Sequence, residues 1–291
     1  MVAQRPTTFQ VWMLAARPRT LPAAIAPVIV GIAAAISDGA FQFLPALATL
    51  LCALLLQIGA NLANDVFDFH KGADARGRLG PPRVTQMGWL TPRAMYAALV
   101  IVFGIAALLG LYLVAVGGAP ILVIGALAIL FALGYTAGPF PLAYLGLGDL
   151  FAFLFFGLVA VSGTYYLQTN QWNALAIWSA IPMGLLIAAI LDVNNIRDVD
   201  SDRAVGKKTI AVRFGARIAR IEYALLIVGA YLVPLALGSL ALMLTWFSIP
   251  LAWRVTRVVL NEQGSILNHA LAGTAQLTLV YAILFAIGLL I

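Results

Sequence analysis

The chain has 291 residues, of which 63% are hydrophobic and 10% are charged, and its formal net charge is +6. Soluble proteins carry about 25% charged residues, so this composition excludes a soluble globular fold and predicts an integral membrane protein whose solvent is lipid. The net charge alone would suit a nucleic-acid partner, but the placement of the basic residues argues against one. The single cysteine, Cys52, lies in an apolar run and is interpreted as a small buried hydrophobe.

Nine apolar segments follow one another along the chain. Each is predicted to be a membrane-spanning helix, because strands would need the alternating pattern of a closed barrel. The segments run approximately over 20–37, 43–66, 94–116, 119–136, 148–168, 174–195, 221–238, 240–253 and 268–290. The first is interpreted as a retained helix rather than a signal peptide. The predicted fold is therefore an all-α integral membrane protein with nine transmembrane helices around a central cavity.

All 17 lysine and arginine residues fall on one side of this arrangement. They precede the first segment or lie between the second and third, the sixth and seventh, and the eighth and ninth. The positive-inside rule makes this side cytoplasmic, which places the N-terminus inside and the C-terminus outside. Two long polar segments, about 67–93 and 196–220, lie on the same side. We expect a multi-pass protein of the cell's inner (plasma) membrane whose site opens to the cytoplasm.

Two clusters of acidic residues lie at the cytoplasmic ends of the second and sixth segments. They hold Asp65, Asp68, Asp74, Asp192, Asp198, Asp200 and Asp202. A carboxylate at mid-membrane costs about 2.5 to 3.5 kcal/mol, so this placement indicates a function. On a helix, Asn61, Asn64, Asp65 and Asp68 share one face through spacings of three and four, as do Asn194, Asp198 and Asp202, with Asn195 adjoining.

Oxygen ligands of this kind suit Mg²⁺, which commonly bridges to phosphate. Nearby basic side chains would meet the remaining phosphate charge, and they are Lys71, Arg76, Arg78, Arg83, Arg197, Lys207 and Lys208. A diphosphate leaving group beside apolar helices indicates an isoprenoid donor. Mg²⁺ would stabilise the departing diphosphate, and an aromatic carbon would attack the allylic carbocation in a cavity without water. The alternative is that the aspartates only cap helix ends and pair with the basic loops.

Four stretches carry a resemblance to a known family. They are ARPRTLPAAIAPVIVG at 16–31, NLANDVFDFHKGAD at 61–74 with GPPRVTQMG at 80–88, YTAGPFPLAYLGLGDLFAFLFFG at 135–157, and NNIRDVDSDRAVGKKTIAVRFG at 194–215. Together they resemble the UbiA superfamily of intramembrane aromatic prenyltransferases, in its 1,4-dihydroxy-2-naphthoate polyprenyltransferase branch. The resemblance implies a single domain over 1–291. It also implies transfer of a polyprenyl group to 1,4-dihydroxy-2-naphthoate with loss of CO₂ and diphosphate, giving demethylmenaquinol for menaquinone biosynthesis.

The resemblance also assigns roles to individual residues. It implies catalytic roles for Asp65, Asp68, Asp198 and Asp202. It implies that two Mg²⁺ ions bridging the diphosphate are held by Asn64, Asp65, Asp68, Asp74, Asn194, Asp198 and Asp202. It implies that the substrates are contacted by Asn61, Asn64, Lys71, Arg83, Gln86, Tyr135, Asn194, Asn195, Arg197 and Lys207. Many relatives carry another aspartate at the position of Gly72, so the carboxylate that completes the first site stays open.

Other functions stay open at this point. A relative with another acceptor, such as 4-hydroxybenzoate or homogentisate, or with a phytyl donor is the nearest alternative. The GPPR…Q…G stretch and the Asn194–Asn195 pair favour the naphthoate. A cation transporter would place its carboxylates near the bilayer midplane, whereas here they cluster beside basic loops at the cytoplasmic ends. The signature of CDP-alcohol phosphotransferases is absent from the sequence.

Overall fold

The computed structural model describes residues 6–72, 79–136 and 141–291, and all secondary structure in these ranges is helical. The α-helices are α1 Thr8–Ala16, α2 Pro22–Ser37, α3 Phe43–His70, α4 Pro92–Gly117, α5 Ala119–Gly134, α6 Leu142–Leu145, α7 Gly148–Ala152, α8 Ala160–Thr169, α9 Ala174–Arg197, α10 Val199–Ala204, α11 Ile210–Phe214, α12 Ala216–Ala236, α13 Ile249–Asn261 and α14 Leu267–Leu290. A π-helical segment, Phe153–Val159, joins α7 to α8. Turns of 3₁₀-helix cover Pro18–Thr20, Ala241–Ser248 and Gly264–Ile266.

Each of the nine predicted segments coincides with helix, which confirms the all-helical class. Six helices in the described ranges are long and apolar enough to cross a membrane: α3, α4, the continuous α7–π–α8 helix, α9, α12 and α14 with its preceding turn. Thr8–Thr20 and α2 form a pair bent by 49°, which would make a seventh span. Helix α5 is apolar but shorter, and the eighth predicted segment is a 3₁₀-helix that runs into α13. The nine crossings and the orientation of the termini stay predictions.

The helix starts follow local sequence signals. Thr91 precedes α4, its hydroxyl accepts a hydrogen bond from the Ala94 amide at 3.2 Å, and Pro92 supplies a first residue that needs no hydrogen-bond acceptor. Asn173 caps α9 by accepting from the Leu175 amide at 2.9 Å. Such caps satisfy amides that have no partner within the helix, which matters most where water is scarce.

Helix α9 is the most buried of the six spans and lies against α2, α12, α14 and the α7–π–α8 helix. The contact with the π segment is made through glycine. A Cβ added to Gly157 would lie 2.6 Å from Gly184 Cα, so the two backbones touch and no side chain fits between them. A second core forms where α1, α3 and α4 meet around Leu62, Met95 and Phe103. The cavity lies between these two halves.

Candidate functional site

A cavity of about 1380 Å³ runs between α2, α3, α4, α5, the α7–π–α8 helix and α9. At the C-terminal ends of α3 and α9 its lining is polar. There it comprises Asn64, Asp68, Arg83, Asn194, Asn195, Arg197, Asp198, Asp202 and Lys207. The rest of the lining is mainly aliphatic and aromatic and includes Phe131, Phe151 and Leu167. Both predicted polar segments therefore contribute to one space, with an apolar chamber beyond them.

The first acidic cluster presents Asn64 and Asp68 to the cavity. Asn64 Oδ1 accepts a hydrogen bond from Thr136 Oγ1 at 2.5 Å, and Asp68 Oδ2 accepts one from Arg83 Nη2 at 2.7 Å. The side chains of Asp68 and Arg83 are 7% and 6% exposed, so this ion pair is largely removed from water. Loss of either partner would remove this charge-assisted hydrogen bond, which typically contributes about 1.5 to 3 kcal/mol.

Asp65, which the sequence predicts as a catalytic residue and metal ligand, lies outside the described cavity lining. Its two carboxylate oxygens accept hydrogen bonds from the amides of Val84 and Thr85, each at 3.1 Å, and it is not among the residues that line the cavity. Asp65 comes three residues before Asp68 on α3, and this spacing points the two side chains about 60° apart around the helix axis. The Asp65 side chain therefore faces the segment that carries Arg83. Asp65 therefore holds the loop that supplies Arg83.

The second acidic cluster is organised around one arginine. Arg197 is 4% exposed, and its guanidinium donates from Nε to Asp198 Oδ1 at 2.8 Å and from Nη2 to Asp198 Oδ2 at 2.5 Å. The same group donates to Asn194 Oδ1 and to Asn268 Oδ1. Two parallel bonds between a guanidinium and a carboxylate fix both orientation and distance. Arg197 thus sets the positions of the Asn194 and Asp198 oxygens at the end of α9.

Lys207 brings the two clusters into one electrostatic field. Its Nζ lies 2.8 Å from Asp202 Oδ1. Burial by itself lowers the pKa of Lys207, but the carboxylates of Asp202, Asp68 and Asp198 outweigh it and the pKa is raised. Asp68 belongs to the first cluster and Asp198 and Asp202 to the second, so the two clusters lie near one ammonium group. Lys207 therefore stays charged at neutral pH.

Lys71 lies at the edge of the site rather than in the cavity lining. It is exposed, its Nζ donates to the Thr136 carbonyl at 2.5 Å, and this ammonium lies 4.5 Å from the centre of the Tyr144 ring. Desolvation is the main cause of a lowered pKa for Lys71, which Lys207 reinforces and Asp68 opposes. The Lys207 ammonium lies 5.8 Å from the centre of the same Tyr144 ring.

Three further predicted residues have different surroundings. Asn61 lines the cavity, and its Nδ2 donates to the Ala16 carbonyl and to Thr20 Oγ1, each at 3.0 Å, which ties α3 to the end of α1 and to the 3₁₀ turn before α2. Tyr135 also lies in the lining. Gln86, predicted to contact a substrate, is exposed in a turn closed by the Met87 amide on the Arg83 carbonyl, and the described lining does not include it. Asp74 lies outside the described residues, as do Arg76 and Arg78.

The sequence reasoning missed Asn268, Thr136 and Asp149. Asn268 begins the last predicted span, lines the cavity and binds both Arg197 and the Leu79 carbonyl. Thr136 is the hydrogen-bond donor to Asn64. Asp149 accepts from Asn195 Nδ2 at 3.2 Å. Each is a polar residue at the end of an apolar segment, so its position was the available signal.

The donor set fits Mg²⁺. The groups at the polar end are carboxylate and amide oxygens, which hard cations prefer. Within the described ranges, no three acidic, histidine or cysteine side chains are close enough to hold a metal by themselves. Mg²⁺ usually keeps several waters and completes its shell with substrate phosphates, so one or two carboxylates suffice. Asp68, Asp198 and Asp202 are the described carboxylates that face the cavity.

Known proteins resemble this chain in sequence over nearly its whole length. The model of the UbiA prenyltransferase family matches residues 24–264. The 1,4-dihydroxy-2-naphthoate octaprenyltransferase of Escherichia coli (strain K12) is 40% identical over 302 residues, covering 99% of this chain and 98% of the relative. The protein of the same name from Mycobacterium tuberculosis is 36% identical, covering 96% of both chains.

Solved structures show the same fold at low sequence identity. A UbiA homologue from Aeropyrum pernix K1 superposes with a TM-score of 0.68 at 17% identity, covering 91% of this chain and 96% of that one. A UbiA homologue from Archaeoglobus fulgidus bound to GPP and Mg²⁺ gives a TM-score of 0.62 at 14% identity, with 94% and 99% covered.

Proposed function

The chain belongs to the UbiA prenyltransferase family, and from this premise we propose that it transfers a polyprenyl group from polyprenyl diphosphate to 1,4-dihydroxy-2-naphthoate. The products are CO₂, diphosphate and demethylmenaquinol, a precursor of menaquinone. The observation that carries the proposal is the meeting of both polar segments at one end of a cavity whose remainder is apolar. The names of the relatives with 36–40% identity support the choice of acceptor.

The polar end of the cavity suits the diphosphate. Arg83, Arg197 and Lys207 are basic hydrogen-bond donors in the lining, and Asp68, Asp198 and Asp202 balance them. We propose that these carboxylates, with Asn64 and Asn194, hold the Mg²⁺ ions. The family resemblance implies two such ions. Bound Mg²⁺ neutralises charge that develops on the departing diphosphate. The GPP and Mg²⁺ in the Archaeoglobus fulgidus homologue support this assignment.

The apolar part of the cavity suits the prenyl tail and the allylic carbon. Burial of each CH₂ contributes about 0.8 kcal/mol, so a long tail binds strongly here. Phe131 lies 4.7 Å, between ring centres, from both Phe151 and Phe155, and all three rings line the cavity. Aromatic faces attract positive charge, and an apolar wall excludes water that would otherwise capture the carbocation.

The group transfer balances without a further reactant. The allylic C–O bond breaks and its electron pair leaves with the diphosphate. The ring carbon that bears the carboxylate forms the new C–C bond. The bond to the carboxylate then breaks, CO₂ leaves, and the electron pair restores the aromatic ring. No oxidant is needed, and the released diphosphate takes up one proton from water at neutral pH.

The test uses the purified protein in liposomes with one polyprenyl diphosphate and Mg²⁺. We expect prenylated naphthalenediol from 1,4-dihydroxy-2-naphthoate, with one CO₂ per turnover from a carboxyl-labelled acceptor. EDTA should stop the reaction and Mg²⁺ should restore it. Consumption of 4-hydroxybenzoate or homogentisate instead would overturn the choice of acceptor. Mg²⁺ flux across the liposome without prenyl donor, and no product, would favour a cation transporter.

We further propose that the protein forms a single domain, that it lies in the inner membrane, and that its cavity opens to the cytoplasm. The distribution of lysine and arginine supports this orientation.

A further inference from the structure

Asn195 lies at the boundary between the polar and the apolar parts of the cavity. It is 8% exposed and lines the cavity. Asn195 comes three residues before Asp198, so it lies about 4.5 Å deeper in the cavity along α9 than Asp198 does. Tyr135 and Phe151 belong to the same lining. A Cβ on Gly148 would lie 3.1 Å from Tyr135 Oη, which places this hydroxyl beside the first turn of α7.

The orientation of the Asn195 amide is set by Asp149, the second residue of α7. Asn195 Nδ2 donates to Asp149 Oδ1 at 3.2 Å, and α7 packs directly against α9. A carboxylate accepts hydrogen bonds but does not donate them, so the NH₂ end of the amide must face Asp149. Asn195 Oδ1 consequently points the other way, and within the described residues no group donates to it.

We propose that Asn195 Oδ1 accepts a hydrogen bond from a ring hydroxyl of the aromatic acceptor and that Asp149 is the positioning residue that aims it. This inference rests on the proposed function. The reacting ring carbon must approach the allylic carbon, so the acceptor lies where the polar end meets the apolar chamber, and Asn195 is there. A carbonyl oxygen attracts a hydroxyl and repels the acceptor's carboxylate, so it recognises the hydroxyl group specifically.

The test compares Asp149→Leu, Asp149→Asn and Asn195→Leu with the wild-type protein in liposomes. Leucine has a similar volume but no acceptor oxygen, whereas asparagine at position 149 still accepts from Asn195 Nδ2. We expect Asp149→Leu and Asn195→Leu to raise the KM for the acceptor about tenfold, as befits one hydrogen bond. The KM for polyprenyl diphosphate and the half-saturating Mg²⁺ concentration should stay within about twofold of the wild-type values, and Asp149→Asn should restore most of the acceptor affinity.

A second measurement uses naphthoates that lack either the 1-hydroxyl or the 4-hydroxyl group, assayed as competitive inhibitors. In the wild-type protein one of the two should bind about tenfold less tightly than the other. In Asn195→Leu that difference should disappear, because the partner of the missing hydroxyl is already absent. This readout does not require Asp149 to be altered, and a side chain that only supports the fold would not select between the two analogues.

Several outcomes would overturn the inference. A raised half-saturating Mg²⁺ concentration with unchanged KM for the acceptor would make Asn195 a metal ligand instead. Equal losses in Asp149→Leu and Asp149→Asn would remove the role assigned to the hydrogen bond. Failure of the proposed function is distinguishable, because the wild-type protein would then neither form product nor bind Mg²⁺–diphosphate in calorimetry.

Discussion

The replacement of Asp65 by leucine separates a loop-holding residue from a metal ligand. Asp65 is 2% exposed, and its carboxylate accepts from the Val84 and Thr85 amides at 3.1 Å each. A hydrogen bond to a charged group contributes about 1.5 to 3 kcal/mol, so the loss of both should cost about 3 to 6 kcal/mol. Asp65→Asn keeps one acceptor oxygen and should lose about half of this.

The assay is thermal unfolding in detergent, followed by circular dichroism and size exclusion, together with Mg²⁺ titration of the folded fraction. A domain of roughly 150–250 residues loses about 2 to 4 °C per kcal/mol, so Asp65→Leu should lower the apparent Tm by about 6 to 24 °C. The half-saturating Mg²⁺ concentration should move by less than about threefold, because Asp65 does not face the cavity. Wild-type stability combined with a more than tenfold weaker response to Mg²⁺ would refute this reasoning and restore Asp65 to the metal site.

Three further predictions concern the cavity and its wall. Asp198→Asn should reduce kcat at least about 10³-fold while the protein stays monodisperse in detergent. The control Asp200→Asn alters a side chain that is 93% exposed and should behave as wild type. Equal activity of the two variants would contradict the diphosphate site. Lys207→Met should raise the KM for polyprenyl diphosphate about tenfold or more. Lys208→Met should not, since of these two lysines only Lys207 lines the cavity. Matching KM values for the two variants would argue against a phosphate contact. Gly184→Ala should destabilise the fold by about 1 to 3 kcal/mol in thermal unfolding. The added Cβ would lie 2.6 Å from the Phe153 ring and 2.8 Å from the Phe153 carbonyl oxygen. An unchanged Tm would show that the two helices can separate at no cost.

The helices were predictable because their signals are local. A run of apolar residues with few charges forms helix in lipid, since the backbone must satisfy its own hydrogen bonds there. Where the structure differs, length and tertiary contacts account for it. The segment 240–253 begins as 3₁₀-helix over Ala241–Ser248, and Gly288 of α14 packs so closely there that a Cβ would lie 2.5 Å from the Ala241 carbonyl oxygen.

The candidate site was predictable in its chemistry and only partly in its geometry. Spacings of three and four placed Asn64 and Asp68 on one face, and both line the cavity. The same spacing put Asp65 beside them, but a helical face is wide, and a side chain at its edge turns to whichever partner the fold supplies. For Asp65 that partner is the pair of amides at Val84 and Thr85, about twenty residues further along the chain.

The sequence by itself determined that lipid is the solvent, that the chain is helical, and that oxygen ligands and cations gather at the ends of two spans. These properties depend on composition and on neighbours within a few residues. Only the tertiary structure decided which partners distant in sequence the buried polar side chains take. Arg197 meets Asn268 across 71 residues, and Asn195 meets Asp149 across 46. The physical reason is that a buried polar group must find a partner, and helix packing, rather than distance along the chain, determines which groups are within reach.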